Sequence, residues 1–334
     1  MSIKSINLEN FTVFKNLSVN LSKGINVFIG KNGTGKTHLL KAVYAACEAS
    51  KDYSFGVFNL EDCFQGSREN LNLFNDENNN IAHIRLSSNE VFDNITLSGT
   101  SVANTDEHKE YYISIPNGVI LKAIYIPVKD MLTHSKGLLA MADKYKEFPF
   151  NKTLLNIIKK ANQWTLKKPP VLSDSILPVL ENLIGGQVIV ENEEFYIQKY
   201  DGRKVNFSVE AEGLKKIGLL WRLLMNESIT EGSILIWDEP EANINPDFIP
   251  SIVECLLELS RHNIQICVST HNYLFAKYFD VRRKDTDSVE FHALYDSEFG
   301  IQVESKVYFD ELDHNEIMRA FDKLLDEVYE LNEE

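Results

Sequence analysis

Ile25-Asn-Val-Phe-Ile29-Gly30-Lys31-Asn32-Gly33-Thr34-Gly35-Lys36-Thr37-His38-Leu39-Leu40 is the stretch on which the fold turns. It opens as an apolar strand, passes through a turn with three glycines, and continues with Leu39, Leu40, Ala42, Val43 and Ala46 at helical spacing. Residues 30–37 fit G-x-x-x-x-G-K-[ST] between a strand and a helix. Glycines there let main-chain N–H groups turn inward to cradle phosphates, and the helix N-terminus adds its positive dipole. Lys36 is then placed to reach the β- and γ-phosphates of a nucleotide, and the Thr37 hydroxyl to ligate Mg²⁺. Gly30, Lys31, Asn32, Gly33, Thr34, Gly35 and His38 complete the expected cradle. By average residue frequencies a chance match in this length is on the order of 1%, so the turn is read as a phosphate site in an α/β protein.

Two further stretches extend the site. Ser233-Ile-Leu-Ile-Trp237-Asp238-Glu239 is an apolar strand ending in adjacent carboxylates. Asp238 at the strand's carboxyl end can hold Mg²⁺ opposite Thr37, and Glu239 can polarise an attacking water. Ser269-Thr270-His271 follows an apolar strand at 264–268, where a histidine can hydrogen-bond a γ-phosphate.

Around these motifs the 334 residues have ordinary globular composition, with 44% apolar and 25% charged residues. Strand-like alternation opens the chain at Ile6-x-Leu8 and Leu17-x-Val19-x-Leu21, a short strand is expected at 81–86, and an Asn/Asp/Glu-rich loop at 75–80. Residues 111–128 predict two strands. A helix follows, with Leu154, Leu155, Ile158, Ala161 and Trp164 on one face and Pro169-Pro170 as its stop. A second helix spans about 173–183, and short strands are expected at 187–191, 194–199 and 204–209, the last two joined by Asp201-Gly202. From 213 the α/β alternation returns. A terminal amphipathic helix is expected to bury Ile317, Phe321, Leu324, Leu325 and Val328.

Charge is unevenly placed. With 34 Lys+Arg against 49 Asp+Glu the net charge is −15, which excludes a protein that coats nucleic acid or an anionic membrane over its whole surface. Residues 121–170 nevertheless hold ten lysines and three acids, whereas 307–334 hold ten acids and two basic residues. Cys47, Cys63, Cys255 and Cys267 form no C-x-x-C pair, and no apolar run approaches 18 residues. These features predict a reduced, cytoplasmic protein with no membrane contact.

The order of 30–37, then Ala211-Glu212-Gly213-Leu-Lys-Lys, then Asp238-Glu239-Pro240-Glu241-Ala242-Asn243-Ile244-Asn245-Pro246, then Ser269-Thr270-His271-Asn272 resembles the ABC-type ATPase heads. Within that class it looks like the soluble branch of RecF, SMC and OLD-like ATPases, which the opening Leu8-Glu-Asn-Phe11-Thr-Val-Phe14-Lys-Asn-Leu17 also resembles. The likeness covers roughly residues 1–50 and 205–310. It implies an ABC-ATPase-type core with a mixed sheet (1–120 and 205–310), an inserted Lys-rich helical lobe with a β-hairpin (121–204), and an acidic terminal helix (311–334). It further implies ATP and Mg²⁺ as ligands and a homodimer or higher oligomer that sandwiches each nucleotide between one P-loop and the partner's signature segment. Lys36 and Thr37 would take the Walker A roles, Asp238 the Walker B role, Glu239 that of catalytic base and His271 that of switch histidine, with Asn245 in the D-loop. Where the family's signature reads Ser-Gly-Gly, this chain has Ala211-Glu212-Gly213, so Gly213 alone can offer amides to a γ-phosphate. Lys215 and Lys216 read as solvated surface unless they compensate, Lys129 or Asp130 mark a candidate Q-loop, and Phe11 or Phe14 a candidate adenine stack.

The function this implies is ATP hydrolysis that switches a dimer or a separate effector protein, such as a nuclease in bacterial antiphage defence. Two other readings stand beside it: a RecF-like DNA-maintenance clamp engaging nucleic acid through 121–170, and a nucleotide-sensing scaffold with little turnover. An ABC transporter subunit ranks last, because Glu-Pro-Glu-Ala-Asn belongs to the soluble branch.

Overall fold

Strand β3 (Ile25–Gly30), buried along its whole length, lies inside a six-stranded sheet. The computed structural model describes residues 2–51, 62–64, 82–88, 95–100, 110–114, 120–145, 148–166, 168, 170 and 174–333. Strands and helices are numbered along the chain. Beside β3 run β7 (Ala123–Ile126), β11 (Ile234–Asp238), β12 (Gln265–Ser269), β13 (Val289–Ser297) and β14 (Gly300–Lys306), in the order β14-β13-β3-β12-β11-β7. All but β14 are parallel to β3. Parallel strands covered on both faces are continuously apolar, and that is how Ile-Leu-Ile-Trp and Ile-Cys-Val read.

Alternation along these strands divides the buried side chains between two clusters, one on each face. Val27, Ile29, Leu235, Trp237 and Val268 point to one side; Phe28, Ile234, Ile236 and Cys267 point to the other. The second face is covered by α1 (Lys36–Ala49), whose Leu39, Leu40, Val43 and Ala46 are fully buried. Over α1 lies an antiparallel sheet in the order β2 (Phe14–Asn20), β1 (Ile3–Phe11), β4 (Ala82–Ser88), β5 (Ile95–Thr100), β6 (Glu110–Ser114). Its inward residues Ile6, Leu8, Phe11, Leu17 and Val19 close that core.

The first face is covered by α2 (Leu138–Lys144), α3 (Lys152–Ala161), α4 (Leu177–Ile184), α5 (Glu212–Met225), α6 (Ile249–Arg261) and α7 (Tyr273–Arg282), each contributing to the one cluster there. A three-stranded sheet in the order β10 (Lys204–Asn206), β9 (Glu194–Lys199), β8 (Gly186–Glu191) packs into the same cluster. The chain closes with α8 (Glu316–Glu333).

Several expectations need correction. β7, assigned from the sequence to the inserted lobe, is the edge strand of the core sheet, because Ile124 and Ile126 complete the first-face cluster beside β11. Trp164 lies beyond α3 and is 94% exposed; the helix buries Ile158 and Ala161 as expected, together with Thr153 and Ile157. The strand expected to run to 209 ends at Asn206, where the Asn206 side chain accepts from Ser208 N and opens a 3₁₀ turn. In α8 only the first turns are covered: Ile317 and Met318 pack on the core and Phe321 stacks on Tyr273, while Leu324, Leu325 and Val328 are exposed. The 75–80 stretch, Lys146, Lys167 and Pro169 lie outside the described residues. No helix among those residues is long and apolar enough to cross a membrane.

Candidate functional site

The carboxyl ends of β3, β11 and β12 lie side by side, with Asp238 in register with Ser269 and Ser269 with Phe28. In parallel α/β sheets this edge is where ligands bind. Gly35 shows why the loop there needs its glycine: φ is +89°, and a Cβ would stand 2.5 Å from the Phe14 ring and 2.6 Å from Val13 Cγ2. The N-terminal hairpin thus packs directly under the loop. Phe14 is wholly buried at that contact and Phe11 is wholly buried edge-on to Phe64, so neither is available to stack on adenine.

Lys36 Nζ donates to the carbonyls of Gly30 (2.7 Å) and Lys31 (2.9 Å), and Thr34 Oγ1 donates to Lys31 O (2.9 Å). Burial lowers the Lys36 pKa to about 8, against the pull of Glu239 and Asp238. Lys31, Asn32 and Gly33 are exposed along the loop, and Lys31 pairs with Glu316 of α8 at 3.4 Å. His38 packs edge to face on Phe64 with centroids 5.6 Å apart, and burial, then Lys41, hold its pKa down. Its side chain is a packing contact.

Asp238 gathers three hydroxyls. Thr37 Oγ1 donates to Oδ2 (2.8 Å), Tyr125 OH donates to the same oxygen (3.0 Å), and Ser269 Oγ donates to Oδ1. Burial and the neighbouring carboxylate hold the Tyr125 phenol protonated, hence a donor. Tyr125 and Ser269 were not singled out from the sequence. A lone tyrosine in an apolar strand gives no sign of its role until β7 is known to lie beside β11.

Glu239 follows in a left-handed conformation, φ +48°. Its N–H is held by Ser269 O (3.2 Å) and Ser269 Oγ (3.1 Å), and its carboxylate lies 3.4 Å from His271 Nε2. Burial, then Lys36, depress the His271 pKa, which favours the neutral ring. Glu241, unassigned from the sequence beyond its motif, is buried and accepts from Thr270 Oγ1 at 2.5 Å. Burial raises its pKa to about 7.

The signature segment sits elsewhere. Ala211 caps α5 without a side-chain hydrogen bond, as expected where a serine is missing. At Gly213 a Cβ would stand 2.6 Å from Asn243 O, so the helix start closes on the 243–244 turn of the same chain. Asn245 Oδ1 accepts from Asp247 N within that turn. The expectation that Lys215 and Lys216 are solvated is wrong, for both are 4% exposed. Lys215 pairs with Glu212 (2.7 Å) and Asp130 (4.0 Å), and Lys216 donates to Glu239 O (3.0 Å). Lys129 is exposed, while Asp130 caps the 3₁₀ turn at 132–134 through Leu132 N and Thr133 N.

These residues fit the ligands expected from the sequence. Thr37 Oγ1 and Asp238 Oδ2 are adjacent oxygens of the kind a hard divalent cation takes, and the Lys36 ammonium, bonded only to carbonyls, can exchange them for phosphate oxygens.

A mixed, mainly parallel sheet bearing a P-loop and two carboxylates at its carboxyl edge, flanked by an antiparallel sheet, is the ABC-type P-loop ATPase head of the RecF/SMC branch. Residues 25–276 match the family model described as "AAA domain, putative AbiEii toxin, Type IV TA system", and the chain belongs to that family. It is 27% identical over 227 residues to the DNA double-strand break repair Rad50 ATPase of Methanococcus maripaludis, a match covering 60% of this chain and 22% of that protein. Over 44 residues it is 52% identical to the DNA replication and repair protein RecF of Clostridium botulinum, covering 13% of this chain and 12% of RecF. The chain therefore spans only a small part of the length of either relative. Among solved structures it is similar to the Smc head domain of Pyrococcus furiosus with an extended coiled coil, bound to the C-terminal domain of ScpA. The TM-score is 0.55 at 12% identity, over 98% of this chain and 99% of that one.

Proposed function

We propose that this chain binds Mg-ATP at the P-loop, hydrolyses it, and uses the cycle to switch a dimer or a separate effector protein. The observation that carries this reading is the meeting of Lys36, Thr37, Asp238, Glu239 and His271 at one sheet edge. Thr37 and Asp238 would hold Mg²⁺, which when bound supplies neutralisation of phosphate charge. Lys36 and the loop amides bind and orient the phosphates. Glu239 accepts a proton from the water that attacks the γ-phosphorus, while the bond to the β-phosphate oxygen breaks to leave ADP and phosphate. His271, neutral and 3.4 Å from Glu239, has a single ring N–H, which can donate to a γ-phosphate oxygen.

Purified protein with Mg-ATP tests this. Glu239→Gln is expected to bind ATP within about threefold of the wild type while phosphate release falls roughly 10²–10³-fold. Wild-type protein that binds ATP and releases no phosphate would leave the nucleotide-sensing scaffold in its place. The family description, which names a putative toxin of a Type IV TA system, is consistent with a chain that works beside a second protein.

A DNA-maintenance reading has support of its own. The two relatives are named for DNA repair, and Lys129, Lys144, Lys159 and Lys168 are exposed within 121–170. Duplex DNA that stimulates hydrolysis, with affinity falling steeply as salt rises, is its expected signature. Salt-insensitive or absent binding removes it.

A further inference from the structure

Asp238, Glu239 and Glu241 crowd three carboxylates into four residues of chain at the end of β11. Two ammonium groups face them. Lys36 opens α1 at the end of the loop that would hold phosphate; Lys216 comes from α5, and the charges of Glu241, Glu239 and Asp238 act on it most. A lysine 4% exposed is rare, because its charge loses water that only hydrogen bonds and countercharge replace. Here the hydrogen bond goes to one atom in particular, the main-chain carbonyl of Glu239, at 3.0 Å.

That carbonyl belongs to a residue under strain. Glu239 has φ +48°, a region that a non-glycine residue holds only where its surroundings impose it. Ser269 imposes it from the amide side, through its carbonyl at 3.2 Å and its hydroxyl at 3.1 Å. Lys216 imposes it from the carbonyl side. The two grips set the direction in which the side chain leaves the main chain, and the carboxylate then lies 3.4 Å from His271. One turn earlier in α5, the bare Cα of Gly213 lets the helix close on Asn243 and Ile244, which keeps Lys216 within reach. Its neighbour Lys215 is buried too, but is engaged by Glu212 and Asp130 and does not share this task.

We propose that Lys216 is a positioning residue for hydrolysis: through the main-chain carbonyl of Glu239 it holds that residue's left-handed backbone, and so aims the catalytic carboxylate. This rests on the reading of Glu239 as the base. It assigns α5 a task within its own chain, separate from any contact its first turn makes with a second copy.

Steady-state ATP hydrolysis by the full chain tests it, with wild type and Glu239→Gln as references. Active wild type and inactive Glu239→Gln establish the base; the Lys216 variants then test the positioning alone. Lys216→Met keeps the length and loses the donor. It is expected to lower kcat about 10- to 100-fold with KM and ATP affinity within threefold, as small misplacements of a reacting group do. Lys216→Arg, which restores a donor, is expected to recover most of the lost kcat. Wild-type kcat in Lys216→Met overturns the proposal. So does joint loss of ATP binding and turnover, or a Lys216→Arg protein as slow as the methionine variant. Should Lys216→Met fail to fold, Lys216→Gln carries the same test. Its amide is one atom shorter than the lysine, so low kcat at unchanged KM is expected, and unchanged kcat together with a crystal structure lacking any bond to Glu239 O overturns.

Discussion

Asp238 takes hydroxyls from α1, β7 and β12, and Glu239 takes its backbone geometry from β12 and α5. The acids themselves were legible, since an apolar strand ending in Asp-Glu announces its own direction. Their partners were not, because Tyr125 and Lys216 lie 113 and 23 residues away along the chain, and nothing local marks them. Glu241 belongs to the same group and yields a prediction about pH. Burial moves its pKa from the usual 4.5 to about 7, so between those values the folded chain keeps a proton that the unfolded chain has lost. Stability therefore falls as pH rises from about 4.5 to 7 and then levels, by about 3 kcal/mol at most. In urea unfolding without nucleotide, Glu241→Gln is expected to flatten that fall. An unchanged slope would mean the proton is held elsewhere.

At the scale of elements, α1 and α8 show what a helical pattern can and cannot tell. In α1 the apolar residues predicted to face inward are buried, because a sheet lies on either side. In α8 the same kind of stripe is half covered, since the core ends at Phe321 on Tyr273. The difference is measurable. Phe321→Ala is expected to cost about 1–2 kcal/mol in urea unfolding, through lost stacking and burial. Leu324→Ser together with Leu325→Ser is expected to change stability by less than about 0.5 kcal/mol. Equal costs would show that the distal half is covered in the isolated chain. Helix α5 is the reverse case: Lys215-Lys216 reads as a surface pair, yet both are buried against acids that the fold brings to them.

In the whole molecule, one mainly parallel sheet separates two apolar clusters and gathers three loops at its carboxyl edge, while the net charge of −15 leaves 121–170 as a basic exception. A site open on that edge is half of the sandwich that the family resemblance implies. Glu239→Gln with Mg-ATP is expected to show twice the monomer mass by light scattering and to return to one chain when nucleotide is removed. A monomer throughout would leave the switch to a different partner. The sequence by itself determined the class of fold and the strand-end places of residues 30–37, Asp238, Glu239 and His271. Each is a local pattern in which strand, turn and helix periodicity carry the chemistry with them. Only the tertiary structure decided that β7 belongs to the core sheet, that Trp164 and the end of α8 stay in water, and that Tyr125, Ser269, Lys216 and Glu241 surround the acids. Those facts depend on which distant segments share a layer, and a side chain's surroundings exist only once the layers have packed.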